Sequence, residues 1–116
     1  MDKFELQRRT QHLGIKTILF CRKLANDTEY KIIKNQLIRC ATSVGANYRA
    51  ACRAKSKADF IYKLKIVEEE CDETIFFLEV LGGVSQILPA EKEFLMEESK
   101  EILAIITSSL KTLRKS

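Results

Sequence analysis

Apolar residues recur at alternating intervals of four and three along two consecutive stretches of the chain. Ile33, Leu37, Cys40, Val44, Asn47 and Ala51 form one series, and Phe60, Leu64, Val67, Cys71, Thr74, Leu78 and Leu81 the other. This spacing lines up side chains on one side of an α-helix, which must then be buried against something else. Two such helices with a short polar break between them predict an antiparallel hairpin. Sparser series flank it. Leu6, Leu13, Phe20 and Leu24 point inward on a preceding helix with Thr10 and Thr17 completing the seam, and Leu95, Ile102, Ile106 and Leu113 do so on a following one.

Punctuation between the series sets the boundaries. Asn26, Asp27 and Thr28 compete for backbone hydrogen bonds and cap a new helix, so a first helix over 3–25 gives way to a second over 28–54. Lys55, Ser56 and Lys57 break that helix, and Ser56 with Asp59 three residues on reads as a variant capping box opening a third over 57–81. Gly82 and Gly83 can take positive φ after a helix end, and Pro89 suits the first turn of a fourth helix over 89–114. Matched lengths and short loops predict an all-α fold, an antiparallel up-down-up-down four-helix bundle. The third helix carries more apolar surface than one seam uses: Tyr62, Ile66, Phe77, Val80 and Val84 fall to one side of the main stripe. Such a second stripe points to another chain packed there.

With 116 residues the chain is expected to form a single domain over 1–116 with one core. One proline and four glycines among abundant Lys, Glu, Leu, Ile and Ala fit helices joined by short loops. No apolar run is long enough to span a membrane and the first residues are charged, so no membrane association and a cytoplasmic location are expected. Cys21, Cys40, Cys52 and Cys71 lie 19, 12 and 19 residues apart, too far for one loop to grip a zinc ion. Cys40 and Cys71 sit on seams, where a reduced thiol packs as a small apolar group.

Up-down topology brings the N-terminus, the second loop and the C-terminus to one end. That end collects Lys3, Arg8, Arg9, Arg49, Arg53, Lys55, Lys57, Lys63, Lys65, Lys111, Arg114 and Lys115 against Asp2, Glu5, Asp59 and Glu68, a net charge of +8 in a chain of net +4. A concentrated positive end suits a polyanion, because Lys and Arg that neutralise phosphates release condensed counterions. The bland reading is a solvated helix end. No groove-reading motif is present, so binding would follow backbone and shape more than base sequence. At the other end the first two helices are net basic and the last two net acidic, which could pair subunits head to tail or serve solubility.

The sequence offers no catalytic constellation. His12 is the sole histidine, which rules out a di-iron centre built from two Glu-x-x-His elements, and helix phase brings it to no particular cysteine. Gly82-Gly83 lacks the Lys-Ser/Thr of a phosphate loop, and the carboxylates lie in runs with no cleft to separate their pKa values. No enzyme, metal or other cofactor is expected. Asn47, on a seam between Val44 and Ala51, must find partners for its amide; it reads as a polar core residue fixing register, with a partner-facing role as the alternative.

The order Gln36-Leu37-Ile38-Arg39, Ser43-Val44-Gly45-Ala46-Asn47-Tyr48-Arg49, Ser56-Lys57-Ala58-Asp59-Phe60, then Glu68-Glu69-Glu70 with Glu73-Thr74 before Phe77-Leu78, resembles the bacterial four-helix bundle family of 23S rRNA intervening-sequence proteins. The chain is also similar to the accessory variability protein of diversity-generating retroelements. The resemblance implies a homopentameric ring that associates with nucleic acid. It marks Arg49, Arg53, Lys55, Lys57, Lys63 and Lys65 as candidate RNA contacts, and the charge reading adds Lys111, Arg114 and Lys115. Many relatives have an acidic residue shortly after the asparagine, where this chain has Arg49, Ala50 and Ala51. The expected function is a non-catalytic oligomeric bundle that binds RNA or DNA through its basic end, with Tyr62, Ile66, Phe77 and Val80 between subunits. The alternative is a scaffold for a protein partner without nucleic-acid binding.

Overall fold

The computed structural model describes residues 1–86 and 88–115. Four helices follow in order, α1 (Lys3–Arg22), α2 (Thr28–Ala51), α3 (Lys57–Val84) and α4 (Pro89–Lys115), and there is no strand among the described residues. They run alternately up and down in a body of 47 × 20 × 20 Å. Each helix packs against its neighbours in sequence, and α4 closes on α1 more loosely than the other pairs pack. The diagonal pairs, α1 with α3 and α2 with α4, stay apart.

Local chemistry explains where the helices start. Asp2 caps α1 by accepting from the Glu5 N–H at 2.9 Å. Ser56 Oγ accepts from the Asp59 N–H at 3.1 Å, and Asp59 Oδ2 accepts from the Lys55 N–H at 3.2 Å. This is the expected capping box with the return bond displaced by one residue. Pro89, which has no N–H to lose, opens α4.

Three helix ends differ from the sequence expectation. After Arg22 and after Ala51 the chain tightens into i→i+3 turns, with Leu24 N–H donating to Cys21 O and Ala54 N–H to Ala51 O, at 3.1 and 3.0 Å. The apolar pattern therefore continues past the α-helix proper, and Leu24 stays buried outside it. On α3 the discrepancy is reversed. Gly82 and Gly83 do not stop the helix, which continues to Val84, and no glycine has positive φ. That conformation falls to Leu88 instead, at φ 52°, next to Pro89, whose ring bars the ordinary α region to the preceding residue.

The core follows the predicted seams closely. Leu37, Cys40, Val44, Leu64, Val67, Cys71, Thr74 and Leu78 are all fully buried or nearly so, as are Thr10, Leu13, Thr17 and Phe20 from α1. Three polar members are satisfied within their own helices: Thr10 Oγ1 donates to Leu6 O at 2.9 Å, Thr17 Oγ1 to Leu13 O at 2.8 Å and Thr74 Oγ1 to Glu70 O at 2.9 Å. Ile33, Phe60 and Leu113 are only partly buried, and on α4 Leu110 takes the place expected for Leu113. Asn47 also departs from expectation. It is half-buried, its Nδ2 donating to Ser43 O at 2.9 Å, while the neighbouring Tyr48 turns into the core. A helix at 3.6 residues per turn drifts about 20° per heptad against a strict four-three series, which carries Asn47 out of the seam.

Candidate nucleic-acid interface

The N-terminus of α1, the α2–α3 turn, the start of α3 and the end of α4 come together at one end of the bundle. The predicted cationic contacts reach it from three helices and one turn. Arg49 occupies the last turn of α2, Arg53 and Lys55 the turn, Lys57 the first position of α3, and Arg114 and Lys115 the last turn of α4, all exposed. Lys65 and Lys111 lie further along their helices and are also exposed.

Arg9 and Lys63, both counted for this end, are spent within the fold. Arg9 leaves solvent to bond Glu98 and Glu101 on α4, which hold its guanidinium protonated even more firmly than usual. Lys63 is half-buried and pairs with Asp59 one turn back at 2.8 Å, which holds the Asp59 carboxyl below the usual range. Lys63, one of the predicted contacts, is therefore engaged elsewhere in an ion pair. Arg49, Arg53, Lys65, Lys111, Arg114 and Lys115 enter no ion pair among the described residues.

Two exposed aromatic side chains also lie toward this end. Phe4 is exposed in the first turn of α1 with the Lys3 ammonium 5.3 Å from its ring centroid. Tyr62, nominated for a subunit interface, is 65% exposed in the second turn of α3, three residues before Lys65. A signal for Phe4 was present in the sequence: Leu6 already fills the inward position of that turn, which leaves Phe4 to face out. Lys3, Tyr48, Cys52, Ser56 and Phe60 line a hollow of about 240 Å³ at this end. Burial, and then the Cys52 thiol beside it, push the Tyr48 hydroxyl above its usual pKa, so it remains a neutral donor. Cations with exposed rings can hold phosphates and stack bases.

The four cysteines are free thiols. Burial pushes Cys21 up to about 11 and Cys71 to about 12, and raises Cys40 as well, which keeps these three protonated and poorly nucleophilic. Among the described residues no three His, Cys, Asp or Glu side chains gather closely enough to hold a metal ion. No helix is long and apolar enough to cross a membrane.

The nominated subunit stripe is split by the fold. Ile66, Phe77 and Val80 are half-buried, Phe77 packing against the core, whereas Phe76, which was not nominated, points outward. Arg39 of α2 reaches across to Glu70 and Glu73 beside this stripe.

Residues 2–108 match the family model described as 23S rRNA-intervening sequence protein. A crystal structure of a protein of unknown function from the S23 ribosomal protein family of Bacteroides thetaiotaomicron superposes with a TM-score of 0.86 at 31% identity. The match covers 96% of this chain and 99% of that one. Comparison with curated protein sequences gives no match.

Proposed function

We propose that this chain, which belongs to the 23S rRNA-intervening sequence protein family, is a non-catalytic oligomeric bundle that binds nucleic acid, RNA in the first place, through its basic end. The observation that carries this reading is the collection, toward one end of the bundle, of Arg49, Arg53, Lys65, Arg114 and Lys115, none in an ion pair among the described residues, with the exposed rings of Phe4 on α1 and Tyr62 on α3 toward the same end. Phosphate contacts from flexible cations give affinity that depends on salt more than on sequence. The rings add sequence-tolerant stacking, which favours single-stranded or looped segments over regular duplex. The proposed compartment is the cytoplasm, where four free thiols would stay reduced. The proposed assembly is a homo-oligomer, a pentameric ring by the resemblance.

The test is fluorescence anisotropy of a labelled, structured RNA with loops, titrated with protein at low and at moderate salt. Binding that weakens as salt rises, and that fails in the Arg53→Glu, Lys55→Glu, Arg114→Glu triple variant while its far-UV helicity is unchanged, is the expected result. Absence of binding to RNA and to single-stranded DNA at low salt overturns the reading. In that case the exposed apolar surface of α3 favours the second reading, a scaffold for a protein partner.

A further inference from the structure

Where α1 meets α2 the surface holds a groove of about 360 Å³, within the roughly 300 to 1,000 Å³ that small-ligand sites occupy. Its floor is largely backbone. Gly14 and Gly45 bring the two helices so close that a Cβ on Gly45 would lie 3.1 Å from Thr10 O. Arg8 and Arg49 stand at the end of the groove that opens on the basic end of the bundle, and Ile15, 48% exposed, and Ile18 lie toward the other. Gln11 and Thr42 come between them. Arg8 and Ile18 are ten residues apart on one helix, so the groove is about 15 Å long. No acid lines it, in a chain with 16 Asp and Glu. Neither arginine enters an ion pair among the described residues. Asp2 and Glu5, at the start of α1, lie outside the lining; Asp2 accepts from the Glu5 N–H and acts on Arg8 only through space.

Two guanidinium groups at one mouth with no carboxylate in the lining are complementary to an anion, and their planar forks match a phosphate. The rest of the groove narrows the choice. A backbone floor admits the close approach of a flat ring, and the Gln11 amide offers a donor and an acceptor to a ring edge. An alkyl chain laid there would leave that amide unpaired. We infer that the groove takes one nucleoside monophosphate unit, its phosphate between Arg8 and Arg49 and its base on the Gly14–Gly45 floor, against Ile15, with an edge toward Gln11. Arg49 belongs also to the proposed nucleic-acid surface, so a single strand held at the basic end can turn one splayed base into the groove. A free mononucleotide is the other source of the same chemistry. This inference rests on the proposed nucleic-acid binding and adds a choice of base at one position to a surface that otherwise follows charge.

Amide NMR spectra of the full chain are recorded with each of the common ribonucleoside monophosphates, with inorganic phosphate and with octanoate. The expected result is a saturable shift of the Gly14 and Gly45 signals by at least one mononucleotide, with inorganic phosphate weaker by about tenfold or more because it brings no base. Ala46→Phe, at an exposed position on the lining, fills the groove and should abolish the shift. Arg8→Gln, also exposed, keeps the groove open and should weaken the mononucleotide about tenfold through loss of one charge-assisted contact. Inorganic phosphate that binds as well as every mononucleotide overturns the inference, as does octanoate binding in their place, or an Arg8→Gln protein that binds like the wild type. Titration with labelled RNA separates this inference from the reading beneath it. RNA binding with no mononucleotide effect at Gly14 and Gly45 overturns the groove and leaves the basic end standing. Mononucleotide binding without RNA binding overturns the basic-end reading and supports the groove as a site for a free nucleotide.

Discussion

The guanidinium of Arg9 donates two hydrogen bonds of 2.7 Å to the carboxylate of Glu98, Nε to Oε2 and Nη2 to Oε1, and its Nη2 also lies 2.8 Å from Glu101 Oε1. This fork joins α1 to α4 across the seam that packs least tightly. Arg9 and Glu98 side chains are 21% and 17% exposed, so the bond is partly shielded from water. Arg9→Met keeps the stem but leaves Glu98 without its partner, and should cost about 1.5 to 3 kcal/mol in urea unfolding. A double-mutant cycle with Glu98→Gln isolates the pair. A coupling near zero would show that the two residues meet without holding the seam.

Gly14 and Gly45 let α1 and α2 approach closely, and Gly45 is the tighter site. A Cβ there would lie 3.1 Å from Thr10 O and 3.2 Å from Gln11 N, both backbone atoms that cannot swing aside. Gly83 is also helical, but a Cβ there meets nothing within 4 Å. The same change should therefore have opposite signs. Gly45→Ala forces the helices apart and is expected to destabilise by about 1 to 3 kcal/mol before a helix-propensity gain of about 1 kcal/mol. Gly83→Ala is expected to stabilise by about 0.5 to 1 kcal/mol. Thermal melts of the two variants decide the matter, and a stabilised Gly45→Ala would mean that the α1–α2 contact is not limited by backbone approach.

The four-helix bundle was legible because its information is periodic. Leu64, Val67, Cys71, Thr74 and Leu78 could be read as a buried seam from spacing alone, and threonines at Thr10 and Thr17 were recognisable as seam members because a hydroxyl can return its hydrogen bond to the preceding turn. What failed depends on phase or on partners. Asn47 and Leu113 leave the predicted seam because a strict four-three series accumulates angular error along a helix of 24 to 27 residues. The choice between Phe76 and Phe77 turns on 100° of rotation about α3. Gly82-Gly83 looked like a stop because glycine is permissive, yet packing of Leu78 and Leu81 carries the helix through. Arg9 counted as a surface charge in sequence because Glu98 lies 89 residues away.

Acid should loosen the start of α3. The Asp59 carboxylate accepts from Lys63 Nζ and from the Lys55 N–H, and these bonds, the Lys63 one foremost, depress its pKa below the ordinary aspartate value of about 3.9. A depressed folded pKa means that the charged form is favoured by folding. Its contribution is complete above about pH 4 and is lost as pH falls through the lower folded value. NMR titration of the Asp59 carboxyl should give a midpoint below that of an unstructured peptide, and Lys63→Met should move it upward. An unshifted midpoint in the wild type would mean that the turn is not held by this carboxylate.

Ser99 is the remaining buried polar residue of the core and, among the described residues, the one whose buried hydroxyl is unsatisfied. Its side chain is fully buried between helices, and its Oγ has no hydrogen-bond partner among the described residues, although its backbone carbonyl accepts from Cys71 Sγ at 3.3 Å. A buried hydroxyl without a partner costs roughly 1 to 3 kcal/mol of desolvation, and serine is also a poorer helix former than alanine. Ser99→Ala removes both penalties and leaves almost no void, so it should raise stability by about 1 kcal/mol or more. Thr74→Ala offers the control, because its hydroxyl is bonded to Glu70 O and to Cys40 Sγ, and its loss takes away a methyl group as well. Urea unfolding of the pair should move the midpoints in opposite directions. A loss of stability in Ser99→Ala would mean that the hydroxyl has a partner in solution, a buried water being the simplest, and that the core at this level is hydrated.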